Sequence, residues 1–207
     1  MRLRSADGRR REPCLTFEVV FVCTGNRYRS VLAEAAFREA ARGHEVRVGS
    51  FGTLDVGAAG PLPEALELAR GLGLDISRHF ARCVVGTDLS DASLVLGFEL
   101  AHLGVAVADA GAPRERTFML AELVALLEHV QAATSADPIE RAQELVSLAH
   151  TLRQSGARPA ASAEIEDPIG RPLDRQEAIG HQVFVAAARL AEQLFGPRAE
   201  PPTGDAG

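Results

Sequence analysis

Lysine is absent: all 22 basic residues of this 207-residue chain are arginine. A nucleotide loop ending in Gly-Lys-Ser/Thr is therefore impossible, because the ammonium that reaches the phosphates does not exist here. With Ala and Gly abundant, the missing lysine reads as a bias of codon usage rather than as a functional arginine surface. Cysteine is scarce and odd in number (Cys14, Cys23 and Cys83), which fits reduced thiols in a cytoplasmic protein better than a disulfide framework. No apolar run reaches the roughly 20 residues that span a bilayer, and residues 1–13 are arginine-rich without a hydrophobic segment, so no membrane association is expected. The six histidines are scattered, with no HExxH and no Cys/His cluster of zinc spacing, so neither a metal nor another cofactor is expected. A net charge of −6 argues against nucleic acid as a partner, because counterion release needs a basic face. The oligomeric state is left open.

What is present is a strand that runs through a loop into a helix. Residues 17–22 are β-prone, interrupted only by Glu18, and they lead into Cys23-Thr24-Gly25-Asn26-Arg27-Tyr28-Arg29-Ser30. Gly25 and Asn26 are the residue types that best tolerate positive φ in a tight loop. From Ser30 the period turns helical: Ala33, Ala36, Phe37 and Ala40 form one apolar face, and Gly43 ends it. Cys23 and Arg29 bracket five residues, a spacing that lets a loop curl its N–H groups round one phosphate while thiolate and guanidinium face it. A helix N-terminus and a neighbouring arginine favour the anion of Cys23, the form that is nucleophilic. Arg29 offers a planar fork for two phosphoryl oxygens, which lysine could not match. Ser30 can bond the thiolate or cap the helix, the cap contributing about 1 kcal/mol.

Cys23-Thr24-Gly25-Asn26 with Arg29-Ser30 resembles the signature loop of the low-molecular-weight protein tyrosine phosphatases. The resemblance implies a three-layer α/β fold with a central four-stranded parallel sheet, and a site at the carboxyl end of the first strand. It implies a hydrolase that acts on phosphoproteins through a phosphocysteine on Cys23, with Thr24, Gly25, Asn26, Arg27, Tyr28 and Ser30 lining the substrate loop. Three positions depart from the family pattern: Tyr28 stands for a second cysteine, Arg27 for a small or aliphatic residue, and Val31 for a proline. Ser50-Phe51-Gly52-Thr53 resembles a second family stretch, usually Ser-Ala-Gly-Thr, and implies that Ser50 bonds Asn26 and supports the loop's left-handed turn.

Length and composition suit one domain over residues 15–196, with disordered tails at 1–14 and 197–207. Residues 45–50 alternate as a strand, 63–72 read as a helix lined by Ala65, Leu68, Ala69 and Leu72, and 92–98 read as a buried strand. His79 is expected to be structural. Leu120, Leu123, Val124 and Leu127 form one helical face, preceded by a last strand near Phe118; Ala142, Leu145, Val146, Ala149 and Leu152 form another. Compact family members hardly have room for both helices, so a helical insertion is expected at about 127–160. Residues 156–163 read as a loop, and a final helix over 173–195 buries Ile179, Val183, Ala187, Leu190 and Leu194.

A proton donor must come from far downstream, and two Asp-Pro pairs compete. Asp137-Pro138 is followed at once by helical periodicity, so an N-cap explains it. Asp167-Pro168 is followed by Ile169-Gly170-Arg171-Pro172, which cannot be a regular helix, and it lies just before the last helix, where the family keeps its general acid. Asp167 is therefore the expected acid. Family members that prefer phosphotyrosine usually follow Asp-Pro with an aromatic residue; Ile169 stands there instead, so phosphotyrosine is the first expectation, with phosphoarginine or a small phosphoester open. Arg27 at the loop rim is expected to pair with acids around the phosphorylated site. Two other readings compete: a catalytically silent phosphopeptide-binding module, and an arsenate reductase of the same fold, for which Cys83 is the only downstream cysteine.

Overall fold

The computed structural model describes residues 16–130, 133–156 and 164–197. Cys14, the expected tails apart from Pro197, and the expected loop at 156–163 apart from Gly156 lie outside the described residues. In chain order the elements are β1 (Phe17–Cys23), α1 (Arg29–Ala40), β2 (Val46–Gly52), α2 (Pro63–Gly71), β3 (Leu94–Gly97) and α3 (Leu100–Ala110). A 3₁₀ turn (Arg114–Arg116) then leads to β4 (Thr117–Met119), α4 (Leu120–Leu127), α5 (Pro138–Gln154) and α6 (Leu173–Phe195). The four strands are all parallel in the order β2-β1-β3-β4, the expected sheet.

β1 is apolar on both faces because both are covered. Phe17, Val19 and Phe21 face α1 and α6, where Phe17 and Phe37 each meet Phe195 edge to face and Phe21 meets Phe37. Burying each such ring contributes about 1.5–3 kcal/mol. Val20 and Val22 face the other layer with Val95, Ala106 and Ala110, beneath α3. Glu18, the one interruption, is half-buried, and its N–H donates to Ser93 Oγ at 3.1 Å.

α3 does not follow from the sequence pattern. Only His102, Ala106 and Ala110 of this helix are buried, a four-residue spacing, while Leu100 on its outer side is 64% exposed. Apolar residues on the solvent face hid the periodicity. α5 forms within the span expected for an insertion and buries Ile139, Ala142, Leu145, Val146 and Ala149, with Leu152 half-buried. Arg153 ties it to the sheet edge: its Nη1 donates to the Thr117 carbonyl at 2.8 Å, and its guanidinium lies 4.1 Å from the Phe118 ring centre. Asp137 Oδ1 accepts from the N–H groups of Ile139 and Glu140, both at 2.9 Å, and so caps α5.

After β1 the chain turns one way to β2; after β2 it crosses back to β3 on the other side of β1. The loops that leave β1 and β3 therefore splay apart at their carboxyl ends. Such a switch point is where an α/β sheet opens a crevice.

Candidate active site

The loop leaving β1 is held by one residue in the left-handed region. Asn26, at φ 52°, is the only non-glycine among the described residues with positive φ. Gly25, expected to share that role, does not, and a Cβ there would meet nothing within 4 Å. Asn26 is fully buried, and its side chain is used at every atom. Nδ2 donates to Ser30 Oγ at 2.9 Å and to Ser50 Oγ at 2.8 Å, and Oδ1 accepts from the Arg82 N–H at 2.9 Å. Its carbonyl accepts from His79 Nε2 at 3.0 Å. Burial is the first cause that lowers the His79 pKa, in keeping with a structural place for this residue.

The direction of these bonds decides what reaches the sulfur. Ser50 donates its proton to Glu34 Oε2 at 2.5 Å, so it can accept from Asn26. Ser30 also accepts from Asn26, which leaves its own proton for Cys23 Sγ, 3.0 Å away. The Asn26 N–H points at the same sulfur from 3.3 Å. Ser30 is not the helix cap: Tyr28 holds that position without a side-chain bond, and Ser30 lies inside the first turn of α1.

Arg29 is 2% exposed, and both its terminal nitrogens are engaged. Nη1 donates to Glu99 and to the Ile165 carbonyl, the latter at 3.0 Å. Nη2 donates to Thr24 Oγ1 at 3.2 Å and to Asp167 Oδ2 at 2.5 Å. Asp167 Oδ1 accepts from the Ile169 N–H at 3.0 Å, so the loop after Asp167 turns on its own carboxylate. Cys23, Gly25, Arg27, Tyr28, Arg29, Asp167 and Ile169 line a cavity of about 20 Å³. That volume suits one water-sized sphere, and the Asp167 carboxylate takes the Arg29 Nη2 donor on its wall.

The remaining expected residues are placed as follows. Arg27 does not stand free at the rim: Nε donates to the Gly60 carbonyl at 2.8 Å, and the Arg27 carbonyl accepts from Leu62, which fastens the loop after β2. Tyr28 is 4% exposed and donates its hydroxyl to the Gln176 carbonyl at 2.8 Å; burial first, then Glu64 and Glu177, raise its pKa to about 12. Ile169 stands at the mouth, 61% exposed. Asp137, spent on its cap, is not among the cavity residues. Glu99 and His102, absent from the sequence reading, reach the site because they sit where β3 turns into α3, and no local pattern at either residue marked that role.

Cys83 bridges Gly52 on the far side of β2, and Gly52 pairs with Cys23. Two inter-strand steps, about 10 Å, therefore separate the Cα atoms of the two cysteines. A disulfide needs Cα atoms within about 7 Å, so this pair cannot close without backbone movement.

Gly52 is also the floor of the loop. A Cβ there would lie 2.8 Å from the Thr24 carbonyl oxygen and 3.0 Å from both Asn26 N and Gly25 C. All three are backbone atoms. Gly52→Ala is expected to lower stability by about 1–3 kcal/mol and to weaken the thermal shift given by inorganic phosphate. A native-sized phosphate shift in this variant would show that the loop tolerates the methyl group.

Residues 18–155 match the family model described as low molecular weight phosphotyrosine protein phosphatase. Over 96 residues the chain is 40% identical to a low molecular weight protein-tyrosine-phosphatase of Streptomyces coelicolor, a match that takes in 43% of this chain and 57% of that protein's length. A low molecular weight protein tyrosine phosphatase from T. tengcongensis superposes with a TM-score of 0.61 over 86% of this chain and 100% of its own, at 24% identity. The YwlE arginine phosphatase from Geobacillus stearothermophilus does so at 0.61 over 86% and 92%, at 21% identity. At such identities the solved structures speak to the fold alone. The family model, by contrast, runs from β1 through α5, and the chain belongs to the low molecular weight phosphotyrosine protein phosphatase family.

Proposed function

We propose that this protein removes phosphate from phosphorylated proteins, phosphotyrosine first among them, through a phosphocysteine on Cys23. The observation that carries this reading is the meeting of Asp167 with Arg29, at 2.5 Å, beside a cavity that Cys23 also lines. In the first step the Cys23 sulfur bonds phosphorus as the ester P–O bond breaks, and Asp167 gives its proton to the departing oxygen. In the second, water attacks phosphorus, its proton passes to Asp167, and the S–P bond breaks to release inorganic phosphate and the thiolate. Arg29 and the N–H groups of the 24–29 loop hold the three equatorial oxygens, most strongly as charge spreads over them. Ser30 and the Asn26 N–H, both on Cys23 Sγ, stabilise charge on the sulfur before attack and after departure. Ser50 supports Asn26.

Arg27 bears on the substrate. A cation in the cavity wall favours acidic residues around a phosphosite and disfavours a second guanidinium, which supports phosphotyrosine over phosphoarginine. Ile169 supports phosphoarginine as the second reading, because it offers an aliphatic wall where a phenyl ring would gain from stacking. The separation of Cys83 from Cys23 disfavours a thiol relay of the arsenate-reductase kind. We place the protein in the cytoplasm, its two described cysteines being free, as one domain over residues 15–196 with α5 in a helical insertion at about 127–160.

Matched peptides carrying phosphotyrosine, phosphoserine or phosphoarginine test the reading by phosphate release. Phosphotyrosine is expected to lead by at least about tenfold in kcat/KM. Faster release from phosphoarginine moves the substrate assignment, and release from none favours a silent phosphopeptide-binding module.

A further inference from the structure

His102 takes no part in the chemistry above, yet it is 2% exposed and faces the site. It lies in the first turn of α3, with Nδ1 3.1 Å from the Glu99 nitrogen and 3.3 Å from the Phe98 nitrogen. Both of those groups are donors. Nδ1 must therefore carry the lone pair, and the ring proton sits on Nε2. Nε2 is 3.0 Å from Thr24 Oγ1 and donates to it. Arg29 Nη2 donates to the same oxygen from 3.2 Å. An oxygen that receives two donors has used both lone pairs, so the Thr24 proton must point outward, and Asp167 Oδ2 accepts it at 3.4 Å.

We propose that His102 is a positioning residue for Asp167: by keeping its proton on Nε2 it sets the direction of the Thr24 hydroxyl, which holds the Asp167 carboxyl over the phosphate loop. The proposal rests on the phosphatase reading of the site. In the closed cavity the Thr24 contact is the long one, since Arg29 holds Asp167 Oδ2 at 2.5 Å. When a phosphoryl group claims Arg29 Nη2, the Thr24 hydroxyl and the Ile169 N–H remain to hold the carboxyl. Burial first, then the Arg29 charge, lower the His102 pKa to about 4 against the opposing pull of Glu99, Asp167 and Glu164. The ring therefore stays neutral at neutral pH, in the tautomer that the Phe98 and Glu99 N–H groups fix.

Two substitutions separate this role from a purely structural one. His102→Asn can still accept from the Phe98 and Glu99 N–H groups but cannot reach Thr24; His102→Gln extends an amide N–H toward Thr24. The readout is kcat on phenyl phosphate, whose leaving group needs a proton, against p-nitrophenyl phosphate, whose leaving group needs little. His102→Asn is expected to cut kcat on phenyl phosphate about 10- to 100-fold, and on p-nitrophenyl phosphate less than about threefold, with KM little changed. His102→Gln should bring the ratio of the two rates back toward native. Thr24→Val should show the same selective loss, and adding His102→Asn to it should cost nothing further. Should His102→Asn fail to fold, Thr24→Val alone reads the same ratio. Equal losses on both substrates, or additive losses in the double variant, would overturn the positioning role while leaving the phosphatase reading intact. A native protein that turns over neither substrate overturns the phosphatase reading and the positioning role with it.

Discussion

Cys23→Ser is expected to lower kcat on p-nitrophenyl phosphate by at least about 10⁴-fold, the scale seen when an enzyme loses a covalent nucleophile. A serine hydroxyl is a far weaker nucleophile than a thiolate. Ser30 and the Asn26 N–H both donate to position 23 rather than accept from it. The fold should not suffer, because a hydroxyl oxygen can take both of those donors. Thermal denaturation should therefore stay close to native, and inorganic phosphate should still raise the midpoint. The two readouts together make the result specific: activity lost, pocket kept. A serine variant that retains more than about a tenth of the native rate would overturn the assignment of the Cys23 thiolate as the required nucleophile.

Asp167→Asn is expected to move two quantities in opposite directions. The amide keeps the shape of the carboxyl and can still accept from the Ile169 N–H, but it has no proton to lend to a leaving oxygen. Turnover of a phenyl ester should fall about 100- to 10,000-fold. Binding of inorganic phosphate should tighten, because Arg29 Nη2 no longer gives up a charged partner to admit it. The Asp167 side chain is 35% exposed, so water screens the lost ion pair. About 1 kcal/mol, or roughly fivefold in Kd, is the scale to expect. The dianion also escapes repulsion by a carboxylate at the cavity wall. Asp137→Asn is the matched control: asparagine also caps helices, so kcat should hold and stability should change by less than about 1 kcal/mol. A fall in turnover with Asp137→Asn but not with Asp167→Asn would exchange the roles of the two residues.

These experiments bear on side chains that differ in how they came to light. The turn at 23–30 was legible because its bonds are local: Cys23 to Ser30, Asn26 to Cys23 and Asn26 to Ser30 all close within seven residues. Ser50 came to light through its four-residue stretch, although its bond to Asn26 closes over 24 residues. Arg29 was visible as a residue and opaque as a connection. Its partners Glu99 and Asp167 lie 70 and 138 residues further on, and nothing near either of them announces an arginine. α3 stayed hidden because its outer side is apolar too, and His102 stayed hidden with it. Gly25 and Asn26 looked alike as loop residues, and only the surrounding packing put the left-handed turn on Asn26.

The chain by itself determined the strands, the helices whose buried faces alternate with polar ones, and the turn between β1 and α1, because neighbours in sequence set each of these through backbone propensity and burial period; the pairing of the strands into one parallel sheet was legible only through the family resemblance. Tertiary structure decided that Arg29 is held between Glu99 and Asp167, and that His102 addresses Thr24. Those contacts join the ends of β1 and β3 to each other and to the segment just before α6. They exist only once the β1–β3 switch point brings the carboxyl ends of the sheet together, and no local pattern encodes that distance.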